Sequence, residues 1–200
     1  MFHHSTAFRR SPATSTSEQV RDFSLIRVAS RKSQDEFLLP EKIWRQALEI
    51  YHDEFVYLKS CKITLSEAVG EFHVPYYPFT HRGILPYVTA PLLMLLVSQL
   101  GYALFAAFAA GHLVYPSFPF EHMSAFRRAR DDGEILISGL REIKFRKKIS
   151  LSKPFLISVL PFWEQTFSSS MYVKSKFSVE SGAISGEIDT LMRYVDAPSD

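Results

Sequence analysis

The sequence predicts an α+β domain in which a curved antiparallel sheet wraps one long apolar helix. Three observations carry this. The run Gly83–Gly111, GILPYVTAPLLMLLVSQLGYALFAAFAAG, contains no charged residue. Two strand-like segments lie upstream of it, and a series of long strand-like segments separated by turn signals lies downstream. No other stretch reads as a long helix, so the strands have one apolar partner to cover them. A helix that is apolar on every face belongs in a core or in a membrane. About 20 apolar residues span a bilayer, and this run is long enough. Against that, Ser98, Gln99 and Tyr102 fall in mid-run, where lipid serves polar groups poorly. No dense basic cluster marks one end alone. The expectation is a core helix without stable membrane insertion.

Composition bounds the rest. Two hundred residues make one domain plus a tail. A hydrophobic content of 46% with 17 phenylalanines is ample for a core and for an apolar ligand tunnel. The net charge of +2 is too small to imply nucleic acid. The single cysteine, Cys61, cannot form an intramolecular disulfide and suits a reducing, cytoplasmic setting. Seven histidines are present without the H-E-x-x-H or C-x-x-C spacing of a metal site, so neither metal nor cofactor is expected. The N-terminus lacks the apolar core of a secretory signal.

Taken in order, residues 1–35 read as a solvated, disordered tail, rich in Ser and Thr and without an acid before Glu18. The same composition also resembles an organelle presequence. Residues 36–200 read as one domain. PEKIWRQALEIY (40–51) is a short helix with Pro40 in its first turn. Phe55–Leu65 and Ala68–Val74 are paired strands, with Ser66 and Glu67 in the turn. YYPFTHR then leads to the central helix. Thr89 is its expected N-cap, Pro91 fits its first turn, and Gly111 is its stop. The following residues, to Gly133, are expected as a loop with a short strand or helical turn. Glu134–Leu140 and Glu142–Ile149 form one long strand bent near Gly139. Phe155–Phe167, Met171–Val179 and Ala183–Tyr194 complete the sheet, the last two joined at Glu180–Gly182.

This element order describes a hotdog fold, and it also fits other α+β sheets. HRGILPYVTAPLLMLLVSQLGYALF resembles the helix entry of hotdog enzymes that act on acyl thioesters. More narrowly, the chain is similar to the FcoT-like long-chain acyl-CoA thioesterase family. The matching pieces are LEIY (48–51), VTAPLLMLLVSQLGYALFAAFA (88–109), KFRKKISLSKPF (144–155) and AISGEIDTLM (183–192), in the same order across residues 40–195. The resemblance implies a homodimer with the acyl site at the subunit interface. It also implies a substrate carried by coenzyme A or an acyl carrier protein. The family is associated with thioester hydrolysis and with addition of glycine to an enoyl thioester. Its tyrosine after the first helix falls on Tyr51. Its loop tyrosine falls near His81, its helix asparagine on Ser98, and its polar residue at the helix entry on Thr89.

The residues themselves support such chemistry. At the helix N-terminus the N–H groups of Ala90 and Leu92 can hold a thioester oxygen, Pro91 having none. His81 is the candidate base. Ser98 can orient a water or a carbonyl, or bond back to its own helix. Tyr51 can serve the site or simply pack, and Gln99 can tie helix to sheet. No Asp or Glu lies between Arg82 and Glu121, so a histidine–carboxylate dehydration pair lacks its acid. From Ser124 to Lys153 there are nine Lys or Arg against four acids. Arg146, Lys147 and Lys148 in this run suit the phosphates of coenzyme A or an acidic carrier protein. The same run also fits an edge strand whose lysines discourage aggregation. Binding of RNA is disfavoured, because the interleaved aromatics read as core positions.

Overall fold

A computed structural model describes residues 20–22, 36–64, 67–75, 86–113, 115, 117–167 and 169–194. In chain order the elements are β1 (Val20–Asp22), β2 (Phe37–Leu38), α1 (Glu41–Ala47), β3 (Leu58–Ile63), β4 (Ala68–Phe72), α2 (Ala90–Ala109), α3 (Met123–Asp131), β5 (Ile135–Phe145), β6 (Phe155–Thr166), β7 (Ser170–Val179) and β8 (Ile184–Arg193). The strands form one antiparallel sheet in the order β2-β3-β4-β6-β7-β8-β5. β1 pairs with residues 163–165 of β6, beyond the end of β4.

The sheet curls around α2. β3 and β5 stand five strand spacings apart in the order, which is about 24 Å on a flat sheet. A helix with its side chains is only about 10–12 Å across, yet α2 contacts both strands. Gly70 of β4 lets the helix come close: a Cβ there would lie 2.9 Å from Leu100 Cδ1. Curved antiparallel sheet and enclosed helix together are the hotdog architecture. The helix is long and apolar enough to cross a bilayer, but 83% of its apolar window is buried inside the fold. Its apolar surface is therefore taken up by the sheet together with α1 and α3.

Period-two alternation separates the sheet faces. On β7, Met171, Val173, Ser175, Phe177 and Val179 are buried against the core. Tyr172, Lys174, Lys176 and Ser178 point to the outer face, where Lys174 sits opposite Asp189 and Lys176 opposite Glu187.

Several expectations need correction. The first helix ends at Ala47 rather than near residue 51, and Pro40 is its N-cap residue rather than part of its first turn. The next strand begins at Leu58 rather than Phe55. Asp53–Phe55 is a 3-10 turn, and the following backbone groups are bound by a side chain of α2 described below. The stretch expected as loop holds α3, capped by His122, whose ring nitrogen accepts the N–H of Ala125 at 3.1 Å. β5 is one strand with register shifts near Gly139 and Arg141, as its bend required. It stops at Phe145 rather than Ile149, because the N–H groups of Arg146 and Lys147 both turn to Ala183 O. Within the expected tail, Val20–Asp22 is a strand; the rest of residues 1–35 lies outside the described residues.

Candidate functional site

The N-terminal turn of α2 is fixed from outside the helix. Residues 86–88 run antiparallel to 149–151, with Val88 N–H on Ile149 O at 2.9 Å and Leu151 N–H on Pro86 O at 3.0 Å. This crossing carries the basic segment to the helix entry. Lys148 Nζ lies 5.3 Å from the centre of the Tyr87 ring, two residues before Thr89. Lys147 is exposed beside it, and Arg146 donates to Gly182 O at 3.1 Å and Ser185 Oγ at 2.9 Å. Thr89 occupies the N-cap position with extended backbone, but its side chain makes no capping bond, contrary to expectation. Leu93 N–H reaches Thr89 O at 2.8 Å. Ala90 and Leu92 precede it, so no intrahelical carbonyl is available to their N–H groups. Leu92 is fully buried, main chain included, and Ala90 is exposed, so of the two expected donors the Ala90 N–H is the one open at the surface.

A second polar group lies in mid-helix. Ser98 and Tyr102 are one turn apart on one face of α2. Tyr51 meets Tyr102 edge-on, with ring centroids 6.4 Å apart. Burial pushes the Tyr51 phenol well above the usual tyrosine range; Tyr102 adds to this, and the Arg130 cation opposes it. Tyr51 therefore keeps its proton well into the alkaline range. Tyr102 is raised in the same way by burial and donates to Ile135 O at 3.3 Å. Ser98 donates its proton to Met94 O at 2.7 Å. Its oxygen keeps a lone pair for a water, but the proton is spent and cannot serve a substrate carbonyl.

The corner carrying Tyr51 is held at both ends. Gln99 is fully buried; its Oε1 accepts from Tyr57 N–H at 3.0 Å and Leu58 N–H at 3.3 Å, and its Nε2 donates to Phe55 O at 2.6 Å. At the other end, Arg130 of α3 donates through Nη1 to Gln46 O near the end of α1. Its Nε and Nη2 hold Asp131 Oδ1 at 2.8 and 2.6 Å. The Arg130 side chain is almost wholly buried. Sequence reasoning placed Arg130 in a basic surface run. The signal for its burial was the three-residue spacing of Met123, Phe126 and Ala129, which marks an amphipathic helix.

The expected site residues thus divide. Thr89, Ala90, Leu92 and Lys148 come together at the helix entry. Tyr51 and Ser98 share the mid-helix face. Ser98 lies six residues beyond Leu92, about 9 Å along the axis at 1.5 Å per residue. One carbonyl oxygen cannot bond to both groups. His81 lies outside the described residues. Among the described residues, no group of three His, Cys, Asp or Glu is placed to hold a metal.

No protein-family model matches the chain. No curated protein matches it either. Among solved structures, the chain is similar to AziG from S. sahachiroi, with 11% identity over 64% of this chain and 84% of that one, at a TM-score of 0.36. It is similar to an HP0420 homologue from Helicobacter felis, with 13% identity over 80% and 92% and a TM-score of 0.40. It is also similar to the dehydratase heterocomplex ApeI:P from Xenorhabdus doucetiae, with 9% identity over 79% and 93% and a TM-score of 0.42.

Proposed function

We propose that this protein acts on a fatty acyl thioester, carried by coenzyme A or an acyl carrier protein, and that the reaction is hydrolysis. The observation that supports this most directly is the crossing of residues 86–88 over 149–151. It sets the helix N-terminus beside Lys148, with Lys147 exposed next to it in the chain. In this reading the thioester carbonyl lies on the N–H groups of Ala90 and Leu92. Negative charge developing on its oxygen meets those donors and the positive end of the helix dipole. Arg146, Lys147 and Lys148 hold the carrier's phosphates. His81 takes the proton of the attacking water. Tyr51 and the Ser98 lone pair act farther along the helix, on the acyl portion or on an ordered water. The protein works as a homodimer in this reading, with the acyl chain at the interface.

One observation favours a second reaction, addition to or elimination from an enoyl thioester. Tyr51 puts a phenol hydroxyl against the mid-helix face at Tyr102, a donor that in this reading lies beyond the thioester carbonyl. Mass spectrometry of incubations with saturated and 2-enoyl thioesters, with and without glycine, separates the two. Free acid from saturated substrate, lost in His81→Ala, is the expected result. A hydrated or amine adduct from enoyl substrate alone moves the protein to the second reaction. Saturable binding without turnover leaves an acyl-binding domain, and neither binding nor turnover removes the thioester reading.

A further inference from the structure

The outer face of the sheet carries a strip of charge that extends well beyond the helix-entry site and shares only Arg146 with it. Arg141 and Lys144 of β5 point outward, opposite Glu187 and Ser185 of β8. Arg146 lies over the same face, on Ser185 Oγ. Across β8, Lys176 and Lys174 of β7 face Glu187 and Asp189. Five cations therefore share the strip with two carboxylates. One of these, Asp189, is buried and already engaged by Arg141, which also donates to Tyr172 Oη at 2.7 Å. Among the described residues, Lys144, Arg146, Lys174 and Lys176 are in no ion pair.

Protection of a sheet edge fits Arg141 and Lys144 on β5 but does not account for the rest of this strip. Edge lysines discourage strand-to-strand aggregation, but β7 is paired on both sides, by β6 and β8. Its two lysines have no edge to guard. They are also held in place: Lys174 Nζ lies 5.0 Å from the centre of the Trp163 ring, and Lys176 Nζ 4.9 Å from that of Phe162. Cations resting on aromatic faces are ordered before any partner arrives.

Size and neighbours select the partner. From Arg141 to Arg146 the strand rise alone gives about 16 Å, and β7 stands two spacings away, about 10 Å. That area exceeds the phosphate cluster of one small cofactor. Leu136 and Leu156, 41% and 50% exposed, stand on the same outer face. Apolar side chains bordering a charged field suit a protein surface. A nucleic acid would bring Glu187 against phosphate, and a second copy of this chain would set like charge against like. We infer that this outer face docks an acidic protein surface, that of the carrier delivering the acyl thioester. The identity of the carrier, though not the docking of an acidic protein, rests on the proposed function.

The test is calorimetric titration of the full chain with an acidic acyl carrier protein without its acyl group, at low and at raised salt. The native chain, the double variant Lys174→Glu/Lys176→Glu and a control, Lys42→Glu on α1, are compared. Binding by the native chain, weakened by raised salt, weakened at least tenfold in the double variant and unchanged in the control, is expected. The double variant should retain the native KM for acyl-CoA, since neither residue belongs to the helix-entry site. Equal carrier binding by the double variant, or no binding by the native chain, overturns the inference. So does a single-stranded RNA that binds more tightly than the carrier and depends on the same lysines. If the native chain turns over no thioester, the reaction reading falls while the binding result still decides the docking surface.

Discussion

The ring of Tyr51 stands edge-on to that of Tyr102, with the two planes at 65°. Burial raises both phenols above their ordinary range, and this has a consequence for stability. In the unfolded chain tyrosine ionises near pH 10. Above that pH the unfolded state has lost protons that the folded state still holds, so stability falls as pH rises. Cys61 acts with the same sign, because burial pushes its thiol from about 9 to about 12. Unfolding free energy should therefore decline from about pH 9 upward, and Tyr51→Phe should flatten the part above pH 10. Urea titrations at several alkaline pH values check this. An unchanged slope in Tyr51→Phe would show that the phenol is not held as described.

Gln99 answers three main-chain groups, two of them buried and one partly so, with one amide. Gln99→Met keeps the volume and removes every partner. Each buried polar group left unpaired costs about 1–3 kcal/mol, so the variant should lose about 3 kcal/mol or more by urea unfolding. A loss under about 1 kcal/mol would mean that the corner relaxes and finds other partners.

Two glycines mark close approaches, and a third does not. A Cβ at Gly70 would meet Leu58 Cδ1 at 2.7 Å, and one at Gly186 would meet the Arg141 carbonyl oxygen at 2.8 Å. At Gly139 nothing lies within 4 Å. Gly70→Ala and Gly186→Ala should each cost about 1–3 kcal/mol by overpacking, with Gly186 the worse because backbone must move. Gly139→Ala should be close to neutral. Thermal midpoints of the three variants give the order directly.

Much of the fold was legible, and each failure has a local cause. The central helix was readable because uncharged residues run unbroken and Pro91 marks its first turn. The strands after residue 155 were readable because alternation survives wherever one face is buried. The start of β3 was misplaced because Gln99, more than 40 residues away, takes the hydrogen bonds a strand would use. α3 was legible only as a loop with a short strand or helical turn because its cap is a histidine and its surface is dense in arginine. At the site, the residue types at the helix entry were readable. The 9 Å separation of Ser98 from that entry was not weighed, and the back-bond that spends the Ser98 proton was one of two open options.

At the helix entry, Lys147→Ala with Lys148→Ala should raise KM for an acyl-CoA about five- to tenfold and leave kcat nearly unchanged. Exposed charge contacts contribute about 1 kcal/mol or less each, and a contact made equally in ground and transition states appears in KM alone. Steady-state kinetics at low and high salt test this. A fall in kcat with unchanged KM would place the lysines at the chemistry itself.

The enclosure of α2 also shapes how the chain is made. The helix is complete at residue 109, but the strands that close over it extend to residue 193. At about 5–20 residues per second of synthesis, several seconds pass between the two. Throughout that interval a 20-residue apolar helix emerges from the ribosome with only α1, β3 and β4 of its covering made. Factors that bind nascent apolar segments meet this helix first, and what they see is indistinguishable in length and hydropathy from a membrane anchor.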